Sequence, residues 1–172
     1  MAETKTLIAM SAIGNVEGVK EALQRGGDPN KISEIGRTAL HAAASKGHQE
    51  VVAVLLEHPG VDPNVVTLDT DWSSLHLAVS VAIFGACPDM VEILLKQPGI
   101  NINARDRWGE TALHLAARFD REEILRLLLD QPGIDEKATT NRGASVLHAA
   151  VHYSGGPNVL GRFLTSPTLI LM

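Results

Sequence analysis

Apolar residues in this chain come in short helical stripes, separated by polar loops that carry proline and glycine. Val51, Val52, Leu55 and Leu56 fall on one side of a helix, and Ile124, Leu125, Leu127, Leu128 and Leu129 echo the arrangement. Between residues 16 and 24, Val16, Val19 and Leu23 alternate with Glu17, Lys20, Glu21 and Gln24, the pattern of a helix with one wet face. The first complete stretch predicts one helix over about 38–46 and a second over about 49–58. Pro59, Pro98 and Pro132 follow the second helices; a proline cannot continue a helix, so each second helix is expected to end there.

The stripes recur because the chain repeats itself. Thr38-Ala39-Leu40-His41 returns as Ser73-Ser74-Leu75-His76, Thr111-Ala112-Leu113-His114 and Ser145-Val146-Leu147-His148, with the histidines 35, 38 and 34 residues apart. Pro59-Gly60, Pro98-Gly99 and Pro132-Gly133 keep step. A period of this length predicts stacked repeats, each burying its apolar face on its neighbours. Thr38, Ser73, Thr111 and Ser145 are N-cap types whose hydroxyls satisfy orphan backbone N–H groups, at about 1 kcal/mol each. The second repeat carries four extra residues near 83–88 and a leading loop one residue longer. Residues 82–87 are expected to extend its first helix by a turn, with Phe84 a candidate for convex-edge recognition.

The run Asn103-Ala104-Arg105-Asp106-Arg107-Trp108-Gly109-Glu110-Thr111-Ala112-Leu113-His114-Leu115-Ala116-Ala117 resembles the ankyrin repeat, and the resemblance covers essentially the whole chain. A divergent first unit aligns through Leu7-Ile8-Ala9-Met10, Gly14, Val19, Leu23 and Asp28-Pro29-Asn30. There are departures: proline is absent from the second phrase position, Asp71 and Asp120 stand where glycine is expected, and most linkers carry one extra residue. The resemblance implies an all-α solenoid of helix-turn-helix units joined by hairpin loops. It reads as one domain of about five units, approximately 3–35, 36–70, 71–108, 109–142 and 143–172, the last incomplete or weakly capped. It implies that His41, His76, His114 and His148 bridge loop backbones, and it places His48 at another position where the family often has histidine. Asn64, after Asp62-Pro63, loosely matches the loop pattern hydroxylated in such repeats, although the proline departs from it.

Composition narrows the chemistry. Net charge is −5 and no Lys/Arg run occurs, so nucleic-acid binding is not expected. Cys87 is the only cysteine, which excludes an internal disulfide and a cysteine-based zinc site. The longest near-apolar run, 75–87, is too short to span a bilayer, and no signal peptide is visible. A cytoplasmic or nuclear monomer is the simplest expectation. No P-loop or Gly-x-Gly-x-x-Gly is present; His148 and His152 have a metal-ligand spacing, but the resemblance gives His148 a structural role. Glu122-Glu123 opens a helix, where negative charge is favourable. No enzyme, cofactor or metal is implied.

Proteins of this family bind protein partners with loop tips and the exposed side of each first helix. Carried over by position, the binding residues are Arg37, Lys46, Trp72, Arg107, Trp108, Arg118, Phe119, Arg142 and Tyr153. Four of the chain's six aromatic residues fall in this set, and its five cations contrast with the acidic whole. Trp, Tyr and Arg are enriched at binding hot spots, and such a face steers an acidic or aromatic-rich protein or peptide toward it. The alternative is structural: Trp72 or Phe119 covers neighbouring loops, and the arginines pair with Asp106 or Glu110.

Two functions fit. One is a non-enzymatic adaptor, scaffold or occluding inhibitor. The other is a regulatory segment of a larger enzyme, ubiquitin ligase, kinase or channel. Gly155-Gly156-Pro157 and Gly161 weaken the last unit, and 169–172 is apolar where another loop should begin. Continuation of the parent chain past Met172, or an improvised cap, is therefore expected.

Overall fold

The computed structural model describes residues 2–81 and 88–151. The chain packs as two compact units, Met1–Asn101 and Ile102–Met172. Among the described residues, unit 1 holds α1 (Ala2–Ile13), α2 (Val16–Gln24), α3 (Ala39–Ala44), α4 (Gln49–Glu57), α5 (Ser74–Val81) and α6 (Pro88–Leu95). Unit 2 holds α7 (Ala112–Arg118), α8 (Glu122–Leu129) and α9 (Val146–Ala149). This is the all-α repeat architecture that the periodicity predicts, without β-strands among the described residues beyond one isolated bridge, Thr139 to Ser145.

The first helices α3 and α7 are short, alanine-rich and almost wholly buried, whereas the longer α1, at the start of the chain, buries only Leu7 and Ser11. All of α3 is buried, and it packs against α1, α4 and α5. Alanine permits that crowding, because small side chains let neighbouring backbones approach closely and alanine has the best helix propensity. The second helices bury one stripe only. In α8, Ile124, Leu125 and Leu128 are buried, while Glu122, Glu123 and Arg126 face solvent. In α2, the exposed residues include Glu17, Lys20, Glu21 and Gln24, the wet face expected of it.

Helix ends differ slightly from expectation. The first-repeat helices are Ala39–Ala44 and Gln49–Glu57, shorter than 38–46 and 49–58, because Thr38 and His58 are caps rather than helical residues. The second helices also stop before their prolines: α4 ends at Glu57, α6 at Leu95 and α8 at Leu129. The residue before a proline is pushed out of the helical region, so the chain leaves the helix earlier.

The repeated phrase builds a capping box. Thr38, Thr111 and Ser145 accept the backbone N–H of the histidine three residues on, and that histidine's Nδ1 accepts the cap's own N–H. Ser73 and His76 make the same pair of bonds, at 3.4 and 3.2 Å. Histidine here takes the place of the glutamate or glutamine usual in such boxes.

A second, unanticipated device ties successive linkers. Within unit 1, Asn30 Nδ2 donates to Gly60 O at 2.6 Å and Asn30 Oδ1 accepts from Asp62 N at 2.8 Å. Asn64 repeats this with Gly99 O (2.9 Å) and Asn101 N (2.7 Å). Within unit 2, Asn103 does so with Gly133 O and Asp135 N. Asp28 and Asp62 shape the approach by accepting the N–H of Asn30 and Asn64. That explains Asp-Pro-Asn physically: an Asx turn, a rigid middle residue, and an amide that clamps the next linker.

Candidate functional site

The loops before the first helices are tight turns of one design. Ser33 and Arg37, Asp106 and Glu110, and Thr140 and Ala144 are closed by a backbone bond from the first N–H to the last carbonyl, at 2.9, 2.9 and 2.8 Å. The corresponding turn in the second repeat joins Thr67 to Trp72 at 2.9 Å and holds one more residue, as its longer loop requires. The first residue of each turn offers a side-chain oxygen to the returning strand: Ser33 to Arg37 N, Thr67 to Trp72 N, Asp106 to Trp108 N and Glu110 N, and Thr140 to Arg142 N and Ala144 N. Asp71 has φ 58°, and Asp120, after α7, has φ 53°, so both aspartates adopt the left-handed conformation of the glycines they replace.

Adjacent turns abut within each unit. In unit 1, Leu68 N donates to Gly36 O at 3.2 Å, and a Cβ on Gly36 would lie 2.9 Å from Leu68 Cβ. This sets two exposed aliphatic residues, Ile35 (74% exposed) and Leu68 (66%), on neighbouring tips. Leu68 was not anticipated; its signal is an apolar residue inside the lengthened loop. In unit 2, Asn141 N donates to Trp108 O and Asn141 Nδ2 to Arg107 O, both at 2.9 Å.

The anticipated binding residues fall into two groups. In unit 1, Arg37 is half-buried at the end of its turn and Lys46 is exposed just past α3. Trp72 is half-buried, with its ring stacked on His76 at 6.3 Å between centroids. In unit 2, Arg107, Trp108 and Arg142 are exposed on abutting turn tips. Arg118 ends α7 and pairs with the buried Glu110, and Phe119 is half-buried as the α7 C-cap. Tyr153 lies outside the described residues, as do His152, Phe84, Cys87, the inserted segment 82–87 and the tail 155–172.

The electrostatics follow from burial. Burial pushes His41 down to about 4, a fall that Arg37 deepens and that the bond to Val65 O and the charge of Asp69 oppose. His114 is lowered for the same first reason, with Arg105 adding to the fall and the bond to Ala144 O opposing it. Asp69 is held below the usual carboxylate range, first by the Thr67 hydrogen bond, then by Thr70 and by the charge of Arg37. His41 Nε2 lies 2.9 Å from Val65 O and His114 Nε2 3.3 Å from Ala144 O, the bridges that the resemblance implied for them. These histidines are braces, and their ring nitrogens are engaged. Among the described residues, no group of three or more metal-ligating side chains is gathered, and no helix is long and apolar enough to cross a membrane.

A family model described as ankyrin repeats (3 copies) matches residues 7–106 and 75–166. The chain is 34% identical over 87 residues to a probable serine/threonine-protein kinase of Dictyostelium discoideum, covering 51% of this chain and 10% of that protein. It is 29% identical over 145 residues to a potassium channel of Arabidopsis thaliana, covering 69% of this chain and 18% of the channel. It is 30% identical over 110 residues to human cyclin-dependent kinase 4 inhibitor B, covering 64% of this chain and 75% of the inhibitor. The chain thus spans a small part of the kinase and of the channel, and three quarters of the inhibitor.

Proposed function

The chain belongs to the ankyrin-repeat family, and on that premise we propose that it is a non-enzymatic protein-interaction module that binds a protein or peptide through its turn tips and the adjoining ends of its first helices. The observation that carries this reading is the exposure of Trp108 between Arg107 and Arg142 on two turns that are each closed by a backbone hydrogen bond and are bonded to each other through Asn141. A binding residue held on a rigid backbone loses little freedom when a partner arrives, so more of the contact energy appears as affinity. Arg37, Lys46 and Trp72 in unit 1, and Arg107, Trp108, Arg118, Phe119 and Arg142 in unit 2, are the residues proposed to meet it, with Tyr153 as a further candidate. The mechanism is occlusion or tethering by equilibrium binding in the cytoplasm or nucleus, without catalysis, cofactor or metal. Likeness to a cyclin-dependent kinase inhibitor supports occlusion.

A second reading is favoured by the small fraction of the kinase and the channel that the match covers: the chain is a regulatory segment of a longer protein. Affinity capture from lysate with wild type and with Trp72→Ala/Trp108→Ala tests the first reading. A protein retained by wild type and lost from the variant, at equal helix content, is expected; identical captures would refute the site. Coding sequence running past Met172 into another domain distinguishes the second reading.

A further inference from the structure

We propose that the tip of unit 2 is a preformed socket for an acidic peptide segment, with Trp108 as its anchor, Arg105, Arg107 and Arg142 as its charges, and Asn141 as the residue that positions the turn. The inference rests on the protein-binding reading above and narrows it to one ligand class.

The case begins with what is exposed and what is not. Trp108 is 49% exposed, an unusual placement for the largest apolar side chain. The turn's own acids are withdrawn from the surface. Asp106 is 5% exposed and its Oδ1 accepts from Trp108 N (2.9 Å) and Glu110 N (2.8 Å). Glu110 is 7% exposed and is paired with Arg118. Arg105, Arg107 and Arg142 are all exposed. Among the described residues, none of the three forms an ion pair: Arg105 Nη2 donates instead to the neutral Asn141 Oδ1 at 3.4 Å. A protein of net charge −5 therefore presents, around its exposed tryptophan, three guanidinium groups with the nearest turn carboxylates buried. Guanidinium groups recognise carboxylates by paired hydrogen bonds, and an indole face accepts an apolar side chain between them.

Asn141 is what makes this surface a fixed one. Its backbone N–H holds Trp108 O, its Nδ2 holds Arg107 O, and its Oδ1 receives Arg105. Gly109 has φ 78°, and a Cβ there would collide with Asn141 Oδ1 and Arg105 Nη2, so the turn and the clasp fit only because that position is glycine. The Asn141 side chain thus fixes two of the three cations, one through its guanidinium and one through the carbonyl next to Trp108, while the backbone N–H holds the anchor's own carbonyl. Overall charge and the absence of any Lys/Arg run favour a peptide over nucleic acid.

The test uses the full chain. It is panned against a random-peptide display library, and enriched peptides are labelled and titrated by fluorescence anisotropy, with a single-stranded oligonucleotide as a competing probe. Enriched peptides should be rich in Asp and Glu around an apolar residue, and their affinity should fall as salt rises. Trp108→Ala should weaken them at least about tenfold, and Arg107→Ala/Arg142→Ala should weaken them and flatten the salt dependence. In a Trp72→Phe background only Trp108 emits; Asn141→Ala should lower both its emission anisotropy and the peptide affinity severalfold at unchanged helix content. Peptides that are neutral or basic, or whose binding survives Trp108→Ala, would overturn the socket while leaving the broader module reading intact. So would preferential binding of the oligonucleotide. Absence of any enriched peptide would overturn the socket as well, the module reading being judged separately by lysate capture. Unchanged anisotropy and affinity in Asn141→Ala would remove Asn141 from its positioning role.

Discussion

The backbone N–H of Thr38 donates to His41 Nδ1 at 3.1 Å, and the Thr38 hydroxyl accepts the backbone N–H of His41 at 3.3 Å. A backbone N–H can only donate, so His41 Nδ1 must be an acceptor. Its proton is on Nε2, which reaches Val65 O at 2.9 Å. The same logic binds Thr111, His114 and Ala144. Each histidine caps one helix and braces the next loop while neutral, and a second proton on Nδ1 would oppose the cap.

Acid should therefore weaken the fold in a defined window. The folded His41 titrates near 4, below its ordinary value of 6.5, so the folded state binds fewer protons than the unfolded chain. Its stabilising contribution is complete above pH 6.5 and is lost as pH falls from there toward 4, at about 1.4 kcal/mol per pH unit. His114 adds in the same direction. Urea unfolding at a series of pH values should show a falling midpoint across that window, and His41→Gln should flatten the dependence.

Asn64→Ala removes two hydrogen bonds, to Gly99 O and from Asn101 N, and leaves both backbone groups to water. A cost of about 1–2 kcal/mol is expected. Chemical denaturation read by circular dichroism measures it, and Asn30→Ala should cost a similar amount through Gly60 and Asp62.

Asp120→Gly should stabilise. Asp120 has φ 53°, and its Oδ1 is buried without a hydrogen-bond partner among the described residues. Glycine relieves both, for a gain of about 1 kcal/mol. Gly109→Ala should do the reverse, costing about 2 kcal/mol, because its left-handed turn is closed by the Asn141 clasp. Thermal melts of the two variants should move in opposite directions.

The repeat period, the helix pairs and the caps were legible because each rests on local chemistry: a hydroxyl before Ala-Leu-His, an apolar stripe, a proline after it. The aspartates in glycine positions were legible as departures, and their positive φ is the consequence. Asn30, Asn64 and Asn103 were not read as clamps, although Asp-Pro-Asn marked two of them, because their partners lie 30–37 residues away. The surface was legible by position but not by charge. That Glu110 answers Arg118, that Asp106 turns inward, and that the Asn141 amide reaches Arg107 O and Arg105 depend on which side chain faces which, and a linear pattern does not encode that. Leu68 escaped notice because the longer second turn shifts its register.

The central claim is that partners dock on the turn tips and the adjoining ends of the first helices. A photo-crosslinking residue placed at Arg107 or Lys46, and for comparison at Glu57 or Glu123 on the exposed faces of the second helices, tests it directly in the source cell's lysate. Adducts with a partner protein from the first two positions and none from the second two are the predicted result. Adducts confined to Glu57 and Glu123, or equal from all four, would contradict it.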